Sequence, residues 1–326
     1  MGRLKSARGE TFFAPERERT ILARLARTNP GPLTAEALRA IYREIFSTTL
    51  ALEHPRVTAY LGPEDTFTHV AALQQFGTQA DYRPCTTISD VFAEVERGRA
   101  DCGVVPIENS IEGAVNHTLD MFMESPLVIC AEVLLKISHS LVAKGPRRQI
   151  RTVYSHPQVF GQCRQWLERH LPQVELVEVS STATAAERAA RHRFAAAIAT
   201  PMAARRHGLK ILASSIQDHA ENVTRFLVIG TTQSTPTGED KTSLMFSVKD
   251  RVGALHDMLI PFKRQRINLT KIESRPSKRR PWEYYFFVDL IGHALQPKVQ
   301  RALRMLERQC TFLKILGAYP MAEPPR

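Results

Sequence analysis

From Val57 onward, short apolar runs alternate with stretches whose apolar residues recur at helical spacing. Val57–Leu61, then Cys-Gly-Val-Val-Pro from Cys102, Pro-Leu-Val-Ile-Cys-Ala-Glu-Val-Leu-Leu from Pro126, Arg-Thr-Val-Tyr-Ser from Arg151, Val-Glu-Leu-Val-Glu-Val from Val174 and Phe-Ala-Ala-Ala-Ile-Ala from Phe194 read as strands. Helices are predicted near 67–76, ended by Gly77, over 89–98, and near 157–170 and 182–192. This is the syntax of two α/β lobes, with a break around Lys136 to Ser140. The apolar run Phe226–Ile229 is predicted to cross back and complete the first lobe, leaving a cleft between the two.

The ends of the chain follow other rhythms. Residues 14–28 carry Ile21, Leu22 and Leu25 on one helical face after Pro15, and a second helix from Thr34 carries Leu38, Ile41, Tyr42, Ile45 and Leu52. Two helices bury little by themselves, so this segment requires a partner surface. After the Thr, Ser, Pro and Gly-rich stretch 231–240, the order strand, helix, strand, strand, helix, strand predicts a ferredoxin-like unit. The expected domains are therefore 1–55, 56–232 and 241–320.

Charge changes little in that picture. The net +11 is uneven: residues 1–55 hold 9 Lys and Arg against 6 acids, 56–241 hold 19 against 20, and 242–326 hold 16 against 7. The central unit is nearly neutral, which argues against a nucleic-acid face there, and the basic loop Lys278-Arg279-Arg280 has no interleaved aromatics. Five cysteines without a CxxC pair suggest neither a disulfide framework nor a zinc site, and they point to a reducing, cytoplasmic setting. No signal-peptide core or membrane span is read in the sequence.

Candidate chemistry gathers in four polar islands at strand ends. Gly62-Pro63-Glu64-Asp65-Thr66-Phe67 leads into a helix whose first N–H groups suit an anion, or simply form a capped start. Ser155-His156-Pro157-Gln158 repeats the device on the second lobe, with His156 a capping or core residue. Glu108-Asn109-Ser110 places a carboxyl, an amide and a hydroxyl in one loop, or closes a turn on its own backbone. Asn222-Val223-Thr224-Arg225-Phe226 sets a hydroxyl beside a guanidinium, which a strand would send to opposite faces.

Together, and in this order, these islands resemble the prephenate dehydratase family. The resemblance implies a two-lobed catalytic domain like that of periplasmic binding proteins and a decarboxylating dehydration of prephenate to phenylpyruvate that needs no metal or organic cofactor. By the resemblance Thr224 is the proton donor to the departing hydroxyl, with Glu108 as a carboxyl that burial could tune into an acid. Asn109, Ser110, Thr66, Ser155 and Gln158 are positioning groups, and Arg225 is an anion clamp or the strut that orients Thr224. Family members usually carry glycine where Asp65 stands. Arogenate as substrate, or a non-catalytic small-anion sensor on the same cleft, remain alternatives.

The last unit resembles an ACT regulatory domain. Gly253-Ala254-Leu255 and Glu273-Ser274-Arg275-Pro276 match motifs that bind L-phenylalanine as effector in such dehydratases. The apolar run Glu283–Gly292 would need cover on both sides, so a homodimer or homotetramer is expected. Residues 2–53 resemble the later part of a chorismate mutase domain, with Lys5, Arg17, Glu18 and Glu53 at catalytic positions and Thr49 where serine is common. Its first helix is missing, so the mutase is expected to be inactive if Met1 is the true start.

Overall fold

A computed structural model describes residues 15–249, 251–277 and 283–324. Helix α1 (Pro15–Thr28) and helix α2 (Ala35–Glu53) form the N-terminal segment, and Thr34 caps α2 by accepting from Ala37 N at 3.1 Å. Their required partner is the rest of the chain. Glu44 accepts from the Thr78 amide and hydroxyl at 3.1 and 2.6 Å, while Arg19 bonds Met321 O at 2.6 Å and pairs with Glu239. Ile41, Ile45 and Leu52 on α2 stay exposed.

The first lobe is a mixed sheet of order β2-β1-β3-β11-β5, from β1 (Val57–Leu61), β2 (Asp81–Cys85), β3 (Cys102–Asn109), β5 (Val128–Lys136) and β11 (Val223–Gly230). The short β4 (Gly113–Ala114) adds to β3. Helices α3 (Phe67–Phe76), α4 (Ile88–Glu96) and α5 (Asn116–Glu124) cover it. Strand β11 does return from the far end of the domain, and lies antiparallel between β3 and β5.

The second lobe orders its sheet β10-β6-β9-β7-β8, from β6 (Ser140–Ala143), β7 (Thr152–Ser155), β8 (Glu175–Glu178), β9 (Ala195–Ala199) and β10 (Lys210–Ala213). The helix expected over 157–170 is two helices, α6 (Pro157–Gln162) and α7 (Arg164–His170). The Asp218 carboxylate causes the restart: it accepts from Gln165 N and Trp166 N at 3.0 and 3.2 Å, serving as a cap supplied from a distant loop. Helices α8 (Thr182–Arg191) and α9 (Pro201–Arg206) complete the lobe.

The C-terminal unit has the predicted ferredoxin-like order: β12 (Asp240–Ser247), α10 (Ala254–Arg264), β13 (Leu269–Pro276), β14 (Tyr284–Ile291), α11 (Pro297–Glu307) and β15 (Phe312–Pro320). Alternation along its strands divides the side chains between two layers. Leu244, Phe246, Val288 and Leu290 pack on Met258, Phe262, Val299 and Leu303 of α10 and α11. Met245, Tyr285, Phe287, Leu316 and Tyr319 instead join Phe92, Phe122 and Ile129 in the core of the first lobe. The cover that β14 was expected to take from a second copy thus comes from the same chain, so the apolar character of that strand does not call for an oligomer. Gly317 permits the close approach, because a Cβ there would collide with the Ile129 backbone.

Candidate active site at the junction of the lobes

Strands β1 and β3 run parallel and β11 runs antiparallel to β3, so Leu61, Asn109 and Thr224 reach the same edge of the first sheet. There Asn109 and Thr224 are register partners. Asn109 Oδ1 accepts from the backbone N–H of Ile111 and Glu112 at 2.9 and 3.1 Å. These donors settle the orientation of the amide, because only oxygen can accept them. Asn109 Nδ2 therefore donates, to Thr224 Oγ1 and to Asn222 Oδ1, both at 2.8 Å.

The polarity propagates. Asn222, its oxygen occupied, donates through Nδ2 to Gln162 Oε1 at 3.0 Å, and Gln162 donates through Nε2 to Glu112 at 3.2 Å. His139 Nε2 lies 2.8 Å from the same Gln162 oxygen and must carry the proton. Burial pulls the His139 pKa below the usual histidine range, the Gln162 bond opposing, so the imidazole is neutral at pH 7 with a buried Nδ1 that has no hydrogen-bond partner among the described residues. His139 leaves the first lobe in the crossover from β5 to β6, and its ring meets Phe67 edge-on at 5.4 Å. The amide donations thus run outward from Asn109, to Thr224 on one side and through Asn222 and Gln162 to Glu112 on the other. Since the Thr224 oxygen accepts from Asn109, its own O–H is left to donate elsewhere.

Helix α3 starts just beyond β1. Thr66 caps it, accepting from His69 N at 3.5 Å and donating to Pro63 O at 3.0 Å, which leaves the Phe67 and Thr68 amides in the orphan first turn. Asp65 sits at φ 67°, the left-handed region that glycine adopts without strain, and its carbonyl accepts from Thr200 Oγ1 of the second lobe at 2.9 Å. Its buried carboxylate faces Arg206, also of the second lobe, at 3.4 Å, so it neither caps the helix nor stands uncompensated. Burial holds the Asp65 pKa above the usual carboxylate range, with His69 and His207 opposing.

A prephenate dehydratase family model matches residues 58–234, which is more than half of the chain. The chain belongs to the prephenate dehydratase family. An ACT domain model matches residues 242–308 and a chorismate mutase type II model residues 1–54. The chain is 51% identical over 99% of its length to a bifunctional chorismate mutase/prephenate dehydratase of Aquifex aeolicus, 90% of which is covered. It resembles the crystal structure of a prephenate dehydratase in complex with L-Phe from Arthrobacter aurescens (TM-score 0.76, 36% identity, 83% of this chain and 92% of that one). It also resembles GqqA, described as a quorum-quenching acylase (TM-score 0.75, 28% identity, 82% and 98%).

Against this prephenate dehydratase frame, several expected site residues move. Glu108 precedes Asn109 on the same strand, so alternation turns its carboxylate to the opposite face, where Lys271 Nζ lies 2.9 Å away. It is no acid of the cleft. Arg225 likewise points away from Thr224 and is no anion clamp: it is buried against Glu132 at 2.7 Å, Asp289 at 2.5 Å and the Tyr319 hydroxyl at 2.8 Å. Ser110 spends its hydroxyl on the backbone of the facing segment, donating to Glu221 O and accepting from Val223 N. Ser155 is fully buried and donates to Ile198 O at 3.0 Å, which makes it a strut between β7 and β9. His156 caps α6 by accepting from Gln158 N, and since Pro157 has no N–H, that helix start offers an anion little; Gln158 stays exposed.

Asn222, Gln162 and His139 belong to the site without being singled out by its motifs. The first two lie inside or beside the polar islands, and His139 lies in the segment that reads as the break between lobes. Among the described residues, no helix is long and apolar enough to cross a membrane, and no cluster of His, Cys, Asp or Glu is placed to hold a metal.

In the ACT unit, β12 and β13 both end where Ser247, Tyr285 and Arg275 line up across the sheet, bringing the Gly253–Leu255 turn and the Glu273–Pro276 segment to one edge. Gly253 begins α10 at φ 79°. Arg275, however, is engaged with Asp120 of α5 at 3.0 Å. In the N-terminal segment, Glu18 feels the charge of Arg56, which puts it at the same end of the helix pair as Glu53; burial pushes its pKa up to about 7. Arg17 is exposed on α1, and Lys5 lies outside the described residues.

Proposed function

We propose that this protein converts prephenate to phenylpyruvate, releasing carbon dioxide and water. The observation that carries the reading is the Thr224 hydroxyl, held through its oxygen by Asn109 so that its O–H remains available to donate. In the reaction the ring C–carboxylate bond breaks, its electron pair forms the new ring double bond, and the allylic C–O bond opens. The departing oxygen needs a proton to leave as water. A threonine hydroxyl is too weak an acid to be ionised, so Thr224 donates a hydrogen bond to that oxygen and relays a proton to it only in step with taking one from solvent, never resting as an alkoxide.

Aromatisation drives the step, and the protein contributes orientation. The first turn of α3 suits one substrate carboxylate, and the fixed amides of Asn109 and Asn222 hold the hydroxyl donor in place. Acyl hydrolysis, the chemistry attached to GqqA, is less favoured: the partner of Thr224 is an amide that donates to it, whereas a nucleophile needs a base that takes its proton.

Feedback by L-phenylalanine at the ACT edge, use of arogenate, and, against the inactivity expected from the sequence, conversion of chorismate to prephenate by the N-terminal segment are finer proposals. The L-Phe complex and the bifunctional relative support the first and the last of these. Purified protein incubated with prephenate should accumulate phenylpyruvate, and Thr224→Ala should cut turnover about 100-fold or more while leaving substrate affinity near the wild-type value. Wild-type turnover in that variant would remove Thr224 from the mechanism.

A further inference from the structure

We propose that Arg225 is a positioning residue through which the C-terminal domain sets the Thr224 hydroxyl, a claim that rests on Thr224 being the proton donor. Thr224 and Arg225 are consecutive on β11, as Asn109 and Glu108 are on β3, and the two pairs are in register. One face of this short ladder carries the Asn109–Thr224 bond. The other face is gripped by the C-terminal sheet: Asp289 and Tyr319 hold Arg225, and Lys271 lies against Glu108. Each strand that bears a member of the cleft pair is therefore fastened, one residue away, to a domain outside the cleft.

The fastening is directional. Ser243 donates to Asp289 at 2.5 Å and so receives the Tyr319 O–H at 2.6 Å, which leaves the Tyr319 oxygen to accept from Arg225. Glu132 on β5 holds the remaining side of the guanidinium and is itself held by Lys241 and by Ala322 N. Four strands from two domains thus specify where Arg225 sits. Directly beyond Arg225 the β11–β3 register slips, Phe226 pairing with Pro106, so the ladder is bulged where its aim matters.

The junction is not filled. A cavity of about 20 Å³ lies there, walled mainly by apolar side chains such as Phe122, Leu227 and Phe287, with Arg225, Ser243, Lys271 and Asp289 completing its lining. A small shift of the C-terminal sheet would be carried by the guanidinium to the bulge and thence to the neighbouring hydroxyl. A displacement of about 1 Å there is enough to matter for proton transfer.

The test is steady-state kinetics on prephenate with Asp289→Ala, and with Arg225→Met/Asp289→Leu, which replaces the ion pair by apolar groups and keeps the fold should the single variant unfold. Thr224→Ala is run beside them, each protein checked for a folded circular-dichroism spectrum. Expected is a fall of about tenfold in kcat with KM within about twofold of wild type, since orientation is lost and binding is not. A purely structural role would lower the melting temperature and leave kcat of the folded protein unchanged. Unchanged kcat in the folded clamp variants, with Thr224→Ala impaired, overturns this inference alone; wild-type turnover in Thr224→Ala overturns the functional reading and this inference with it.

Discussion

Strand β11 presents two faces one residue apart, and they are built on opposite principles. On the cleft side, Thr224 belongs to a chain of neutral amides whose hydrogen bonds all have a determined direction. On the reverse side, Arg225 is enclosed by the Glu132 and Asp289 carboxyl groups and the Tyr319 hydroxyl: Asp289 would be raised by burial, but the Arg225 charge and the Ser243 bond hold it below the usual range. Neutral groups can leave one donor uncommitted, as proton transfer requires. A buried guanidinium must be satisfied on every side, and that is what fixes a strand in place.

The contrast can be broken first at its charged side. Arg225→Met leaves Asp289 buried without its counter-charge, so urea unfolding should show a loss of about 3–5 kcal/mol. A loss under about 1 kcal/mol, the scale of an exposed ion pair, would mean that the two faces do not differ as described.

Glu18 sharpens the same rule, because it is a carboxyl that burial raises to about 7 with only partial compensation from Arg56. Its folded pKa lies above its unfolded value near 4.5, so its contribution is complete below pH 4.5 and is lost as pH rises through about 7. Glu18→Gln should therefore leave the melting temperature unchanged at pH 4.5 and raise it by about 2–4 °C at pH 8. An increase of the same size at both pH values would show that charge is not the cause.

The smallest effect is expected at Glu108. Its carboxylate is partly exposed and lies on the face away from Thr224, so Glu108→Gln should change kcat by less than about threefold, whatever stability is lost at the buried Lys271 beside it. A loss near 100-fold would restore Glu108 as the acid of the cleft.

Much of the architecture is legible in the order of the residues. The helical and strand periods locate the lobes, the returning strand and the ferredoxin-like unit, because each buries a continuous apolar face. Strand β2 gives no such signal: Asp81–Cys85 is a largely exposed edge with no apolar face, held by its backbone pairing to β1. The site is legible in its members more than in their directions. Glu108, Asn109 and Ser110 read as one loop, yet β3 continues through Asn109, and strand alternation separates the carboxyl from the amide. Ser155 reads as a ligand group because its burial depends on β9, which is forty residues away in the chain. His139 carries no local signal at all, since its role arises only when Gln162 and Asn222 meet across the lobes.

The central claim is that an oriented Thr224 proton, supplied by a hydroxyl whose oxygen Asn109 holds, assists the departing oxygen of the substrate. It is tested most directly by comparing kcat for prephenate in Thr224→Ser, which keeps the hydroxyl, and Thr224→Val, which keeps the shape. The account predicts a serine variant within about tenfold of wild type and a valine variant lower by about 100-fold or more, both with KM little changed. Comparable turnover in the two variants would contradict it.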